Sequence, residues 1–288
     1  MPYDRPHGSR RRGSAKVRTL VGEPEFPRLL RKWRKERRMT QQRLASEAQV
    51  SARHISFLEN GRSRPSREMV LVLASVLELG LRERNVLLGS AGFAPVYSSS
   101  ELDGDVLAPV RRAIELLLAK QEPYASVLLD RCWNVLRFNE GAMRLFGAVL
   151  TPGAPALVQA NLVRAALHPA GLRTSLLNWE EFASRTLARL DRDCALHPED
   201  QERHALRDEV RGYPGVEALA VGTLGPGHPV AVISLRVGAQ EVKLSTLLTT
   251  VGTPLDVTTQ ELTIESFYPA DEASDAWIKA LAAGRDGH

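Results

Sequence analysis

The sequence predicts a two-domain chain: an all-α N-terminal domain of five helices, then an α+β domain built on an antiparallel five-stranded sheet. Two changes along the chain predict it. Apolar residues recur at helical spacing between residues 26 and 91, and the period turns strand-like at 124–138 and again beyond 229. Charge divides at the same place: residues 1–100 carry 20 Lys and Arg against 9 Asp and Glu, net +11, and subtraction from the totals of 38 and 34 leaves 18 against 25, net −7, for 101–288. A basic half attracts a polyanion and an acidic half does not, so nucleic acid is expected at the N-terminal half only.

The elements follow in order. Residues 1–22 are polar, rich in Gly, Ser and Arg and without periodicity, which predicts a disordered basic tail, either a solvated leader or an arm adding phosphate contacts. Domain one is expected over 23–95. It begins with a basic amphipathic helix at 26–38. Thr40 and Ser51 are N-cap types opening two short helices, on which Leu44, Ala45 and Ala48 face Ile55 and Leu58. Gln49 occupies the turn between them. Helices at 66–77 and 81–91 complete the five. Pro, Ser and Gly break the pattern next, giving a linker at 96–107.

The second domain is expected over 108–275, with a tail at 276–288. Residues 108–120 read as a helix, 124–129 and 133–138 as a hairpin, and Asn139 as the cap of a helix ending at Gly147. A helical stretch spans 156–211; Asn178 with Glu181 has the spacing of a capping box, and Trp179, Phe182, Thr186, Leu187 and Leu190 share a face. Strands at 229–237, 241–251 and 258–267 close the domain. In the last, Leu262 and Ile264 alternate with Glu261, Thr263 and Glu265, predicting one buried and one wetter face.

Specific families share these patterns. TQQRLA, VSARHIS and LENGRSRPS resemble the helix-turn-helix of the lambda-repressor-like (Xre) regulators, which implies positive φ in the turn at Gln49, where Gly is usual in that family, and LLDRCWNVLRFNEGAMRLFG is similar to the opening of a PAS domain. With LHPAGLRTSLLNWEEFA and TTVGTPLDVTTQELTIESFYPADE, residues 26–275 resemble an MmyB-like transcription regulator. The resemblance implies sequence-specific binding of double-stranded DNA and a PAS-like domain holding an apolar small molecule, with fatty acids as the implied class. The alternative is a ligandless C-terminal module for dimerisation or protein docking.

In a helix-turn-helix the second helix enters the major groove by its N-terminal end. Carried over by position, this makes Ala52, Arg53 and Phe57 the base-reading residues, with Arg53 able to donate two bonds to guanine. Gln41, Ser51, His54, Ser56, Arg62 and Arg64 are the expected phosphate contacts. Trp133, Asn139, Trp179, Phe182 and Leu248 are the expected pocket residues, although the same types serve equally as core. Arg207 or Arg211 could meet a carboxylate head, or simply solvate a helix face. A homodimer is expected on a near-palindromic site.

No catalytic residue, required cofactor or metal site is expected. GRSRP lacks the closing Gly of a nucleophile elbow, GPGHPV lacks the third Gly of a dinucleotide loop, and HExxH is absent. The seven histidines do not cluster at ligand spacing, the nearest approach being His197 with Glu199 and Asp200. Two distant cysteines support no disulfide framework. With no apolar run long enough to span a bilayer and no signal-peptide core, a cytoplasmic protein is expected.

Overall fold

An apolar stripe of Phe26, Leu29, Leu30 and Trp33 rolls the first helix, α1 (Glu25–Glu36), onto four others in the computed structural model, which describes residues 25–219 and 232–284. The expected tail at 1–22 and the start of the strand at 229–237 lie outside the described residues. The helices α2 (Gln41–Glu47), α3 (Ala52–Glu59), α4 (Arg67–Val76) and α5 (Leu81–Ser90) follow. Hydroxyls of Thr40, Ser51 and Ser66 cap α2, α3 and α4, accepting from Arg43 N, His54 N and Met69 N at 3.0–3.1 Å. Leu44, Ile55, Leu58, Leu73 and Leu87 are wholly buried between the helices.

All five helices end in the same way. Each closes with paired bonds from the two residues after the cap back into the last turn, as Gln49 N and Val50 N donate to Ser46 O and Ala45 O at 3.2 and 2.9 Å. The first residue of each pair takes positive φ. Glycine serves after α3 and α5, at Gly61 and Gly92, but Arg38, Gln49 and Glu78 adopt φ of 54°, 56° and 51° despite their side chains.

The chain reaches the second domain through residues 91–104 and one 3-10 turn, Asp105–Leu107. The linker is tied down. Asn85 brackets Val96 and Tyr97, and Ser98 and Ser100 hydroxyls donate to Asp256 at 2.8 Å. The helix α6 (Ala108–Lys120) then leads into β1 (Ser126–Leu129), β2 (Val135–Phe138) and α7 (Glu140–Val149), which outruns its expected end by two residues. Four helices follow: α8 (Ala156–Gln159), α9 (Leu162–Leu167), α10 (Trp179–Leu196) and α11 (Gln201–Arg211). Last come β3 (Val232–Val237), β4 (Gln240–Thr250), α12 (Val257–Glu261), β5 (Thr263–Pro269) and α13 (Glu272–Ala282).

The strands form one antiparallel sheet in the order β2-β1-β5-β4-β3. Helix α6 covers one face through Ile114 and Leu118 against Leu128 and Ile264. The other face meets α7, α9 and α10. On that side Val127, Glu265 and Leu248 stand in a row across β1, β5 and β4.

Four expectations are corrected. The last strand begins at 263, not 258, because the Asp256 carboxylate caps the helix α12 in its place, accepting from Thr259 N at 3.3 Å. The wetter face expected for it is closed over by helices, so Glu265 is 8% exposed. The Asn178–Glu181 capping box does not form, since Asn178 instead bonds Val232 O and Ser234 N of β3 at 2.8 and 3.0 Å. Of the tail expected at 276–288, residues 276–282 belong to α13, whose Ile278 packs into the core beneath the sheet, and 285–288 lie outside the described residues.

Candidate DNA interface and ligand cavity

The α2–α3 turn holds α3 so that Ile55 and Leu58 face inward and Ala52 and Arg53 outward, both exposed. Phe57, one turn on, is half-buried, and the Arg53 guanidinium carbon lies 5.2 Å from its ring centre, so the aromatic face supports the cation. Arg62 and Arg64 extend from the following loop, exposed and without a protein partner among the described residues. Ser51 serves as cap, with its O–H proton still available to an acceptor outside; His54 and Ser56 are half-buried beside it. Asn60 shapes the loop, donating to Ser56 O at 2.7 Å.

Gln41 is tied inward by one of its two side-chain N–H groups. Its amide N–H donates to the buried Glu59 carboxylate at 2.8 Å, where Arg34 also binds with two bonds of 2.5 and 2.9 Å. Burial alone would push the Glu59 carboxyl up, but the hydrogen bonds from Arg34 and Gln41 and the charges of Arg34 and Arg31 hold it below the usual range. This buried clasp joins α1, α2 and α3.

The second domain carries two adjoining cavities, both partly open to solvent. One, about 610 Å³, lies among β2, α7 and α8 with Phe138, Met143 and Gly147 on its walls. The other, about 510 Å³, lies between the sheet and α10. Phe146 and Leu162 belong to both, and Phe146 meets Phe267 edge-on at 5.6 Å.

Three of the five expected pocket residues, Trp133, Phe182 and Leu248, line the 510 Å³ cavity. The other two do not. Trp179 donates through Nε1 to Ala166 O at 3.2 Å under the stacked Arg173 guanidinium. Asn139 is buried at a junction: Oδ1 accepts from Ser126 N and Ala142 N at 2.9 Å, and Nδ2 donates to Tyr124 O and Leu118 O at 2.9 and 3.2 Å. Its four bonds are structural. Arg207 pairs with Asp208 and Arg211 with Asp191, away from both cavities.

The sequence reading missed the polar wall. Arg185, Arg189 and Arg192 project from α10 into the 510 Å³ cavity, one helical face with Phe182 and Thr186. That spacing was available to find. Glu265 faces the same cavity from β5, its Oε2 buried without a hydrogen-bond partner, while Thr246 bonds the carboxyl from β4. Burial pushes the Glu265 carboxyl up to about 7 against the opposing charge of Arg189. The Arg189 guanidinium stacks 4.0 Å over the Trp133 ring and has no hydrogen-bond partner among the described residues.

One group of possible metal ligands occurs among the described residues, Cys132 with Asp200 and Glu202. Arg131 already pairs with both carboxylates, and burial with nearby negative charge pushes the Cys132 thiol up to about 12, leaving it protonated. No described helix is long and apolar enough to cross a membrane.

Two family models match the chain. Residues 30–84 match a helix-turn-helix model, and residues 110–281 match the MmyB-like transcription regulator ligand binding domain. No curated protein matches it. A solved structure, of an RNA-binding light-oxygen-voltage receptor, is 14% identical over 96% of this chain and 70% of that one, with a TM-score of 0.25, too low to carry an argument. An exposed recognition helix on a basic domain, joined to a cavity-bearing domain whose family model covers more than half the sequence, makes this chain a member of the MmyB-like transcription regulators, DNA-binding proteins with a C-terminal ligand-binding domain.

Proposed function

We propose that the protein is a cytoplasmic homodimer that reads a near-palindromic operator with Arg53 and holds a fatty-acid-like molecule in the cavity beneath α10. The observation that carries the ligand reading is the composition of that wall: Leu, Val, Phe and Ile from the sheet, α7 and α9 face a stripe of arginines on α10. Its 510 Å³ falls within the roughly 300–1,000 Å³ of small-molecule sites. An alkyl chain would cover the apolar wall and an acid head would meet the cations.

Titrating saturated fatty acids of increasing length, with Trp133 emission as readout, tests this. Burial of each methylene contributes roughly 0.8 kcal/mol, so affinity should climb with length until the cavity is full and then fall. Absence of saturable binding at every length would refute the proposal; steady growth without a ceiling would indicate detergent-like adsorption instead.

A further inference from the structure

Beside the exposed Arg192 and the half-buried Asp193, the cavity beneath α10 presents two further polar groups with unused capacity. The first is Arg189, fixed by its stack on Trp133 and donating no hydrogen bond to any described residue. The second is Glu265 Oε2, buried and unpartnered. No ion pair joins the two. Buried polar atoms are almost always satisfied, and an orphan facing a cavity is explained by what enters the cavity.

Resting on the apolar-ligand reading above, we propose that the molecule bound is a hydroxylated acyl acid, its carboxylate on Arg189 and its hydroxyl hydrogen-bonded to Glu265 Oε2. A plain fatty acid completes only half of this wall. Its carboxylate satisfies the guanidinium but brings no donor to Glu265, and it places a second acid beside the first unless a proton is shared between them. A hydroxyl suits Glu265 in either protonation state, donating to the ionised carboxylate and accepting from the neutral acid. Because burial sets this carboxyl near neutrality, both states are populated under ordinary conditions. The alkyl remainder lies on Phe146, Leu162 and Phe182.

The test compares dodecanoic acid with its 2-, 3- and 4-hydroxy derivatives on the full chain. At least one hydroxy acid should bind roughly 10- to 100-fold tighter than dodecanoic acid, the usual consequence of satisfying an otherwise orphaned buried group. Glu265→Leu should narrow that ratio to about twofold or less, whereas Glu265→Gln, which keeps an acceptor oxygen, should retain most of it. Arg189→Met should weaken all four acids. Equal binding of all four by the unaltered protein overturns this inference and leaves the apolar-ligand reading intact, and so does a preference that survives Glu265→Leu. No saturable binding of any of the four overturns both.

Discussion

At Gln49 a single dihedral sets a measurable strain. Its φ of 56° closes α2 so that α3 can leave at the angle its core contacts require, and a Cβ in that region costs about 1 kcal/mol that glycine avoids. Gln49→Gly should therefore raise the unfolding free energy of the first domain by about that amount, read from its denaturant midpoint; a decrease would mean that the side chain compensates for the strain. Glu265 stores instability of another kind. Its carboxyl sits near 7 when folded and near the ordinary 4.5 when unfolded, so the folded state binds the extra proton between those values and stability falls as pH rises through that window, flattening above 7. The loss is on the order of 3 kcal/mol. Glu265→Gln cannot ionise, so its stability should lack this slope and exceed that of the unaltered protein most clearly near pH 8. A parallel pH profile for the two would place the titration elsewhere.

Under the proposed function the recognition helix and the following loop would divide two kinds of DNA contact. With Arg53 outward on α3 and Arg64 on the loop, Arg53→Ala should lose roughly 1–3 kcal/mol on the best site and flatten preference at one base, whereas Arg64→Ala should weaken all sequences alike and lower the salt slope by about 1. Asn139 shows how one side chain holds several elements, since it joins the end of α6, the approach to β1 and the first turn of α7. Asn139→Asp should destabilise more than Asn139→Ala, because a carboxylate would face the carbonyls of Leu118 and Tyr124 that Nδ2 now satisfies; thermal melts of both decide it. The same residue marks the limit of reading elements from sequence. Its capping of α7 was legible, because capping depends on residues a few positions away. Its bonds to Ser126 and Leu118 were not, because they depend on which segments the fold brings together. Helix order in the first domain and the positive φ at Gln49 were legible for the same local reason. Glu265 was misplaced because alternation along β5 separates two faces, but only tertiary packing decides whether the polar one meets water. Asp256 likewise turned four residues of an expected strand into part of α12 through a hydroxyl and amide network supplied in part by the distant Ser98 and Ser100.

Across the whole molecule, polar contacts fasten the ligand-binding domain to the DNA-binding domain, among them Leu81 N donating to Gln260 Oε1 at 2.6 Å and Arg28 beside Glu199 at 3.6 Å. Lys32 meets Glu199 at 2.7 Å, Glu83 meets His197 at 2.5 Å, and Arg82 grips Glu261 with two bonds of 2.6 and 2.8 Å. Glu83, His197 and Glu261 line a crevice of about 530 Å³ whose wall also includes Trp133, Arg189 and Asp193, three residues that line the 510 Å³ cavity as well. A ligand whose acid head binds Arg189 would thus act on a residue that also walls this crevice, whereas the exposed face of α3 lies outside it. Under the proposed function, regulation by this route would change how the two domains are held and not whether Arg53 is accessible. Coupling of this kind is reciprocal: the factor by which operator DNA changes ligand affinity must equal the factor by which ligand changes DNA affinity. Paired titrations, acyl acid into free protein and into the operator complex, should give a ratio of roughly 5- to 150-fold, the usual range for such coupling. Arg82→Glu, which touches neither the cavity nor the exposed face of α3, should bring that ratio toward one while leaving ligand affinity of the free protein near its original value. A ratio of one in the unaltered protein would keep the cavity as a binding site but remove its control over DNA, and a ratio that Arg82→Glu leaves unchanged would route the coupling through some contact other than this interface.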